Sequence, residues 1–303
     1  MKHRLAADIG GTFTDLVLLD EDGTLHVHKT PSTPDDFKTG VLNGVKHITT
    51  AIGGDVNQDS LLADIEYFVH GATVVLNALI QRKLPTTALV TTRGFRDVLE
   101  IMRTNNPYMY DMQYVKPKAL IPRRLRFEVT ERMYAEGTIY KPLEENEIIA
   151  LAKAFKTKNI ESAAVLFLHS YRNPIHESRA KELLEEHCPG MFVSVSHALS
   201  QEYREFERCS TASLNAYLQP VVANYLARLE DRIAKENADA EILIVQSNGG
   251  IMSVDAAKAL PVRTALSGPA AGVVAARQIA DAAGFLNVIF ESAVKNCLKK
   301  KIF

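Results

Sequence analysis

Three cysteines in 303 residues, no excess of charge of either sign, and no apolar run of membrane length: these scarcities exclude several classes of protein at once. Cys188, Cys209 and Cys297 are odd in number and far apart, so they form neither a disulfide framework nor a paired-cysteine metal knuckle, and buried thiols are expected. A formal net charge of −1 removes the electrostatic basis for binding a nucleic-acid backbone or an anionic membrane. Without a span-length hydrophobic stretch, and with an opening MKHRLAADIGG that reaches a polar turn too early for a signal peptide, a cytoplasmic protein with no membrane partner is expected. Solenoid-spaced repeats are absent, and the only biased tract is a short Lys-rich end. What is present is ordinary for a soluble globular chain, 47% apolar and 23% charged, and long enough for two cores.

The chain opens on three short strands, 5–9, 13–19 and 25–29, the last two joined by Asp20-Glu21-Asp22-Gly23, which has the Asp-Gly chemistry of a hairpin. A helix capped by Thr33, with Pro34 at its first position and Asp35 and Asp36 at its positive end, is expected to follow and to end by Gly53-Gly54. Strand and helix then alternate: strand 65–69, helix 74–81, strand 86–90 and helix 95–102. Three antiparallel strands followed by alternating β/α elements are the order of a ribonuclease H-like α/β core. From Thr104 to Pro142 the pattern breaks around Pro107, Pro117, Pro122 and the basic pair Arg123-Arg124, and a surface excursion or lid is expected. Alternation resumes with helix 144–155, strand 163–168, helix 175–186 and strand 192–196. Residues 201–235 carry apolar residues at helical spacing, which predicts one long helix bent at Pro220, or two. Strand 242–246, the turn Ser247–Gly250, helix 254–259, helix 270–282 and a last strand 287–290 complete the expectation.

The densest chemistry lies in the eight residues Asp8-Ile-Gly-Gly-Thr-Phe-Thr-Asp15. A strand ending at Asp8 and a turn through Gly10-Gly11 bring backbone amides to a phosphate where a Cβ would obstruct it. Thr12 and Thr14 are expected as hydroxyl donors. Asp8 is placed to hold a hydrated Mg²⁺ or to orient a water, and Asp15 does the same or braces the turn. His70, at the end of a strand, heads His70-Gly71-Ala72-Thr73, whose free amides can face an anion; it is either a catalytic residue or a satisfied histidine at a capped helix start. His169 sits at an equivalent strand end and is read as structural. His26 and His28 share one strand face without a third ligand, so an exposed face is expected instead of a metal site. Arg93, Arg96 and Asp97 are expected to form an internal ion pair. The charged run 202–208 is expected to be a solvated helix surface, or an interface.

DIGGTFTD resembles the first phosphate loop of the actin-like ATPase superfamily. Within that superfamily, DIGGTFTDLVLLD, VHGATVVLNALIQRK, ALVTTRGFRDVLEI and SHALSQEYREFERCSTASLNAYLQP together resemble the hydantoinase A / 5-oxoprolinase family, which also includes acetone and acetophenone carboxylase subunits. The resemblance runs from Lys2 to about Phe290. It implies an actin-like ATPase lobe, ATP and Mg²⁺ as cofactors, and a hydantoinase B-type second subunit as partner. Asp8, Asp15 and His70 become the expected catalytic residues, Gly10, Gly11, Thr12 and Thr14 the nucleotide contacts, and Asp8 the metal ligand. The implied reaction phosphorylates the carbonyl oxygen of a cyclic amide and so opens a poor electrophile to water. A carboxylase reaction on a ketone, or a non-catalytic nucleotide-binding assembly module, are the alternatives. The implied domains are an N-terminal one at 1–197, the start of the central one at 198–290, and a divergent tail at 291–303.

The family continues after its connecting helix with a second glycine-rich loop, and no Asp-x-Gly-Gly follows Asn287-Val288-Ile289-Phe290 here. The expectation is therefore a truncated chain with an incomplete second lobe, inactive alone because phosphates are normally held from both sides. A frameshifted or prematurely ended gene is the favoured account, with a split enzyme completed by a second polypeptide as the other.

Overall fold

The computed structural model describes residues 3–10, 12–32, 44–50, 61, 63–82, 85–103, 108, 110–236 and 240–290. Gly11, the start of the helix expected from Thr33, Gly53-Gly54, Pro107, Cys297 and the tail 291–303 lie outside the described residues. The chain divides into two compact units, one made of 1–82 with 222–303 and the other of 83–221.

In chain order the first unit begins with β1 (His3–Ile9), β2 (Phe13–Leu19), β3 (Leu25–Pro31), β4 (Ile65–Ala72) and α1 (Val74–Gln81). The second holds β5 (Thr87–Thr92), α2 (Val98–Ile101), β6 (Arg126–Val129), β7 (Arg132–Met133) and β8 (Ile139–Lys141). It continues with α3 (Glu145–Thr157), β9 (Ser162–Leu166), α4 (Ile175–His187), β10 (Phe192–Val195) and α5 (Ser196–Leu199). Helix α6 (Glu205–Glu236) begins in the second unit and ends in the first, which closes with β11 (Glu241–Val245), β12 (Ile251–Ser253), α7 (Val254–Ala259) and α8 (Ser267–Ala282).

The first unit is built on a six-stranded sheet ordered β12-β11-β4-β1-β2-β3. β1, β2 and β3 form an antiparallel meander, while β4 runs parallel to β1 and β11 parallel to β4. Alternation drives this assembly: Leu5, Ala7 and Ile9 of β1 and Leu16 and Leu18 of β2 are buried on one face, with Phe68 of β4. Val45 and Ile48, together with Leu229 and Ile233 of α6, cover that face. The hairpin between β2 and β3 turns as its sequence predicts, with the Asp20 carboxylate accepting from the amides of Asp22 and Thr24 and Gly23 taking positive φ.

The second unit carries a parallel sheet ordered β10-β9-β5-β6. β5 and β9 are buried along their whole length, as continuous short apolar runs in parallel sheets are. Helices α3 and α4 supply Ile148, Ala152, Phe155, Ala180, Leu183 and Leu184 to its core.

Several expectations change. Strands β5, β6, β9 and β10 do not extend the first sheet: they build a second one, and only β11 and β12 return to the first. The segment 104–142 is not one long excursion, because Arg126–Val129 is a strand of the parallel sheet and Arg132–Lys141 a small antiparallel ribbon. Helix α6 runs continuously through Pro220, near which the division between the units falls. Residues 287–290 form no strand, and Phe290 instead lies against Gly272, where a Cβ would come within 2.8 Å of its ring. Asp97 pairs with Arg123 at 2.8 and 3.0 Å, while Arg93 goes to Glu147 and Arg96 faces Glu128.

Candidate functional site

The carboxyl ends of β1 and β4 and the turn between β1 and β2 make up the site in the first unit. The Gly10 amide donates to the carbonyl of Phe13 at 3.0 Å, so the turn closes across residues 10–13. A Cβ on Gly10 would stand 2.8 Å from that carbonyl oxygen, which is why the position takes glycine. Ser32 clasps the turn from β3: its hydroxyl donates to the Gly10 carbonyl at 2.8 Å and its amide to the Thr12 carbonyl at 2.9 Å. The start of α1 is tied to the same place, since the Thr73 amide and hydroxyl both donate to the Ile9 carbonyl.

Register sets four residues in a row across the strands: Gly71 opposite Asp8, Asp8 opposite Asp15, and Asp15 opposite Lys29. Lys29 donates to both oxygens of Asp15, at 2.8 and 3.1 Å. The Asp8 carboxyl makes no hydrogen bond or ion pair with another described residue. Its carboxyl is held above the usual aspartate range, first by partial desolvation and then by the charge of Asp15, with Lys29 opposing. Gly71 leaves room for it, because a Cβ there would lie 3.2 Å from Asp8 Oδ1. A partly desolvated carboxylate with a second carboxylate beside it is a donor set that fits a hydrated divalent cation. Lys29 and Ser32 were not singled out from sequence, yet a hairpin centred on Asp22 places residue 29 opposite residue 15.

The other expected residues fall differently. Thr12 is exposed beside the turn. Thr14 is 1% exposed on the core face, opposite to Asp15, and its hydroxyl is 3.0 Å from that of Ser32, so it pins the hairpin and does not point outward. His70 shares the core face with Ala7, not the face of Asp8. It is fully buried, its Nε2 is 2.6 Å from the hydroxyl of Tyr225 on α6, and burial lowers its pKa to about 4. Direct acid–base chemistry by His70 does not fit this placement; it is a neutral strut beneath the strand that carries Gly71. The Ser247–Gly250 turn is likewise structural, the Ser247 hydroxyl accepting from the Leu266 amide at the start of α8.

The second unit holds a buried polar network at the carboxyl edge of its parallel sheet. Glu177, with no solvent exposure, accepts from the Phe167 amide, the Ser196 hydroxyl, and both the amide and Nδ1 of His197, at 2.7 to 2.9 Å. Arg208, 1% exposed, donates to the hydroxyls of Ser170 and Ser196 and to the Phe167 carbonyl. Glu131 and His176 form a second buried pair at 2.8 Å, with the Thr92 hydroxyl on the same carboxylate. The charged run 202–208 is therefore solvated only in part. Its signal was available: Arg208 leads the stripe of Ala212, Asn215 and Ala216 at helical spacing, all buried. His169 takes left-handed φ and packs near Tyr171; His26 pairs with Asp20 and His28 stacks on His47, and among the described residues no group of three ligands could hold a metal ion. Nor, among them, is any helix long and apolar enough to cross a membrane.

The hydantoinase/oxoprolinase N-terminal region matches residues 4–188, and the hydantoinase/oxoprolinase region matches residues 208–291. An uncharacterized protein of Methanocaldococcus jannaschii is 41% identical over 91% of this chain and 40% of its own. Caprolactamase subunit alpha of Pseudomonas jessenii is 34% identical over 95% of this chain and 41% of its own. The acetophenone carboxylase gamma subunit of Aromatoleum aromaticum is 33% identical over 93% and 40%. The crystal structure of the ATP-dependent caprolactamase from Pseudomonas jessenii superposes with a TM-score of 0.84, covering 93% of this chain and 41% of the caprolactamase chain. The chain thus spans about 40% of the length of these relatives. By the extent of both matched regions, the chain belongs to the hydantoinase/oxoprolinase family.

Proposed function

We propose that this chain is the phosphate-binding portion of an ATP-dependent subunit that activates a carbonyl oxygen by phosphorylation, and that its preferred substrate class is the cyclic amide. The observation that carries the proposal is the row Gly71, Asp8, Asp15 and Lys29 beside the tight turn at Gly10. The order β3-β2-β1-β4-β11, with a meander followed by parallel strands, supports an actin-like ATPase lobe of ribonuclease H-like type. The family division at 197/198 is retained as a division of sequence modules, alongside the spatial division into two units.

Asp8 holds the cation face of the site, and Asp15, neutralised by Lys29, fixes the strand that presents it. Gly10 and Gly11, lacking Cβ atoms, leave the approach to the turn clear for the phosphates, with Thr12 at the rim. Thr14, Ser32 and His70 position these groups from the core side. A bound Mg²⁺ supplies charge neutralisation for phosphoryl transfer. Caprolactamase among the relatives supports amide opening, and acetophenone carboxylase supports the second reading, phosphorylation of a ketone-derived oxygen before carboxylation. That both relatives are named as subunits supports a partner subunit, for which a hydantoinase B-type chain is proposed. Calorimetric titration with Mg-ATP tests the site: saturable binding is expected, weakened about tenfold or more in Asp8→Asn by loss of a charged ligand. Equal binding by the variant would sink the assignment. ADP release with lactams and hydantoins, set against ketones with bicarbonate, separates the two substrate classes in the assembled enzyme.

A further inference from the structure

The six-stranded sheet of the first unit ends in β3, and the outer edge of that strand pairs with no other strand among the described residues. We propose that this edge pairs antiparallel with the same edge of a second copy of the chain, about a two-fold axis through Val27 and normal to the sheet. The proposal concerns association of the chain and does not depend on what the phosphate turn binds.

Register decides which backbone groups are free. At one end of the β2–β3 ladder the Ser32 amide donates to the Thr12 carbonyl, and at the other the Asp20 amide donates to the Thr24 carbonyl. Between them the pairing is unbroken from Phe13 opposite Pro31 to Leu19 opposite Leu25. The N–H and C=O groups of successive residues in an antiparallel strand turn to opposite sides. His26, His28 and Thr30 therefore bond to β2, whereas Leu25, Val27 and Lys29 present theirs to the open edge. The side chains agree: Leu25 is 64% exposed and Val27 71%, and the Lys29 ammonium is drawn onto Asp15 of β2 and so away from the edge.

Proteins blunt such an edge by keeping it short, by a bulge, or by an outward lysine or a proline. The other edge strands of the two larger sheets are three residues long in β12 and four in each of β6 and β10. β3 has seven, with no shift in its register, and its proline comes only at the end, at Pro31.

A second copy suits this edge because the edge is complementary to itself. Pairing centred on Val27 sets Val27 against Val27 of the second copy and Leu25 against its Lys29, and the reverse. Three such pairs, with two bonds each, give about six backbone hydrogen bonds. No like charges stand opposite one another, and the Leu25 and Val27 side chains of both copies join in one apolar strip on the same face. A contact this short is a small interface, so a dimer with a dissociation constant of about 10 to 100 µM is expected.

Sedimentation velocity of the full chain from about 1 to 500 µM, a range that brackets this constant, is the test. The parent should pass from monomer to dimer and no further. Val27→Pro deletes the amide on the axis and spares the bonds to β2, which come from the flanking residues; it should stay folded and dimerise at least about tenfold more weakly. Val27→Lys sets two like charges against each other across the axis and should weaken the dimer, most at low salt. Ile251→Lys, an exposed position on the opposite edge strand β12, should dimerise as the parent does. A parent that is monomeric throughout, a parent that grows past the dimer, association that survives Val27→Pro, or equal loss in Ile251→Lys would each overturn the proposal. Should Val27→Pro fail to fold, Val27→Lys decides in its place, and a dimer as strong as the parent's at low salt overturns it.

Discussion

Asp8 and Asp15 face each other across adjacent antiparallel strands, and the lysine beside them, Lys29, engages both oxygens of Asp15. Asp8 has no such partner, and partial desolvation, then the charge of Asp15, holds its carboxyl above the usual aspartate range, with Lys29 opposing. A carboxyl whose folded pKa is raised contributes stability that is present below its unfolded value and lost as pH rises through the folded value. At neutral pH Asp8 is therefore a cost to the fold. Asp8→Asn is expected to raise the melting temperature by about 1 to 2 °C, a small effect because the group is partly solvated. Millimolar Mg²⁺ should stabilise the parent chain and not the variant. Thermal melts of both with and without Mg²⁺ check this, and a variant less stable than the parent would contradict it.

Gly71 and Gly10 separate room for a side chain from room for the backbone. At Gly71 an added Cβ meets Asp8 Oδ1 at 3.2 Å, a side-chain atom that can swing aside. Gly71→Ala should therefore leave stability within about 1 kcal/mol of the parent and weaken Mg-ATP binding, because the displaced carboxylate is the proposed cation ligand. At Gly10 the added Cβ meets a carbonyl of the same turn at 2.8 Å, and the turn itself must open. Gly10→Ala should lose both binding and stability. Melts and titrations run together distinguish the two, and identical profiles would refute the difference in cause.

The meander was legible because turn chemistry and period-two alternation agree over β1 to β3, and the same hairpin arithmetic sets Asp15 against Lys29. β6 was not, since its four residues Arg-Phe-Glu-Val carry two charges that read as loop. Arg126 is nonetheless buried, donating to Glu100 and the Ile121 carbonyl, and that pairing is made across space. His70 illustrates the same gap. Its position at a strand end was evident, but which face it occupies depends on register, and the hydroxyl that satisfies it arrives from Tyr225, 155 residues later. Helix α6 persists through Pro220 because apolar packing on both sides, with Leu218 and Val222 buried, outweighs one missing backbone donor.

His70 should make the fold sensitive to acid. Burial lowers its pKa to about 4, below the ordinary histidine value near 6.5, so its contribution is fully present above the unfolded value and lost as pH falls toward the folded one. Between pH 6.5 and 4 this single group removes about 3 kcal/mol. His70→Gln is expected to be less stable than the parent at pH 7.5 but to lose less on acidification. Urea melts at pH 7.5 and 4.5 test this, and equal acid losses in the two chains would rule His70 out as the source. Tyr225→Phe, which strips the partner from the buried Nε2, should cost about 1 to 3 kcal/mol at pH 7.5.

Glu177 and Arg208 act as one buried unit joined through Ser196, whose hydroxyl donates to Glu177 at 2.7 Å and accepts from Arg208 at 2.9 Å. Replacing Glu177 by glutamine keeps the volume but leaves Arg208 without its nearest buried counter-charge, and turns an amide nitrogen or a weaker acceptor toward donors that face a carboxylate. Breaking one side of such a pair costs about 3 to 5 kcal/mol. Arg208→Met should be costly as well, since Ser170, Ser196 and the Phe167 carbonyl all lose a donor. The double variant removes both charges together, so its destabilisation should fall short of the sum of the two singles by at least about 1 kcal/mol. Urea unfolding of the four chains measures this coupling. Strict additivity would mean that Glu177 and Arg208 are held independently, each by its own hydrogen bonds, and that Ser196 transmits nothing between them.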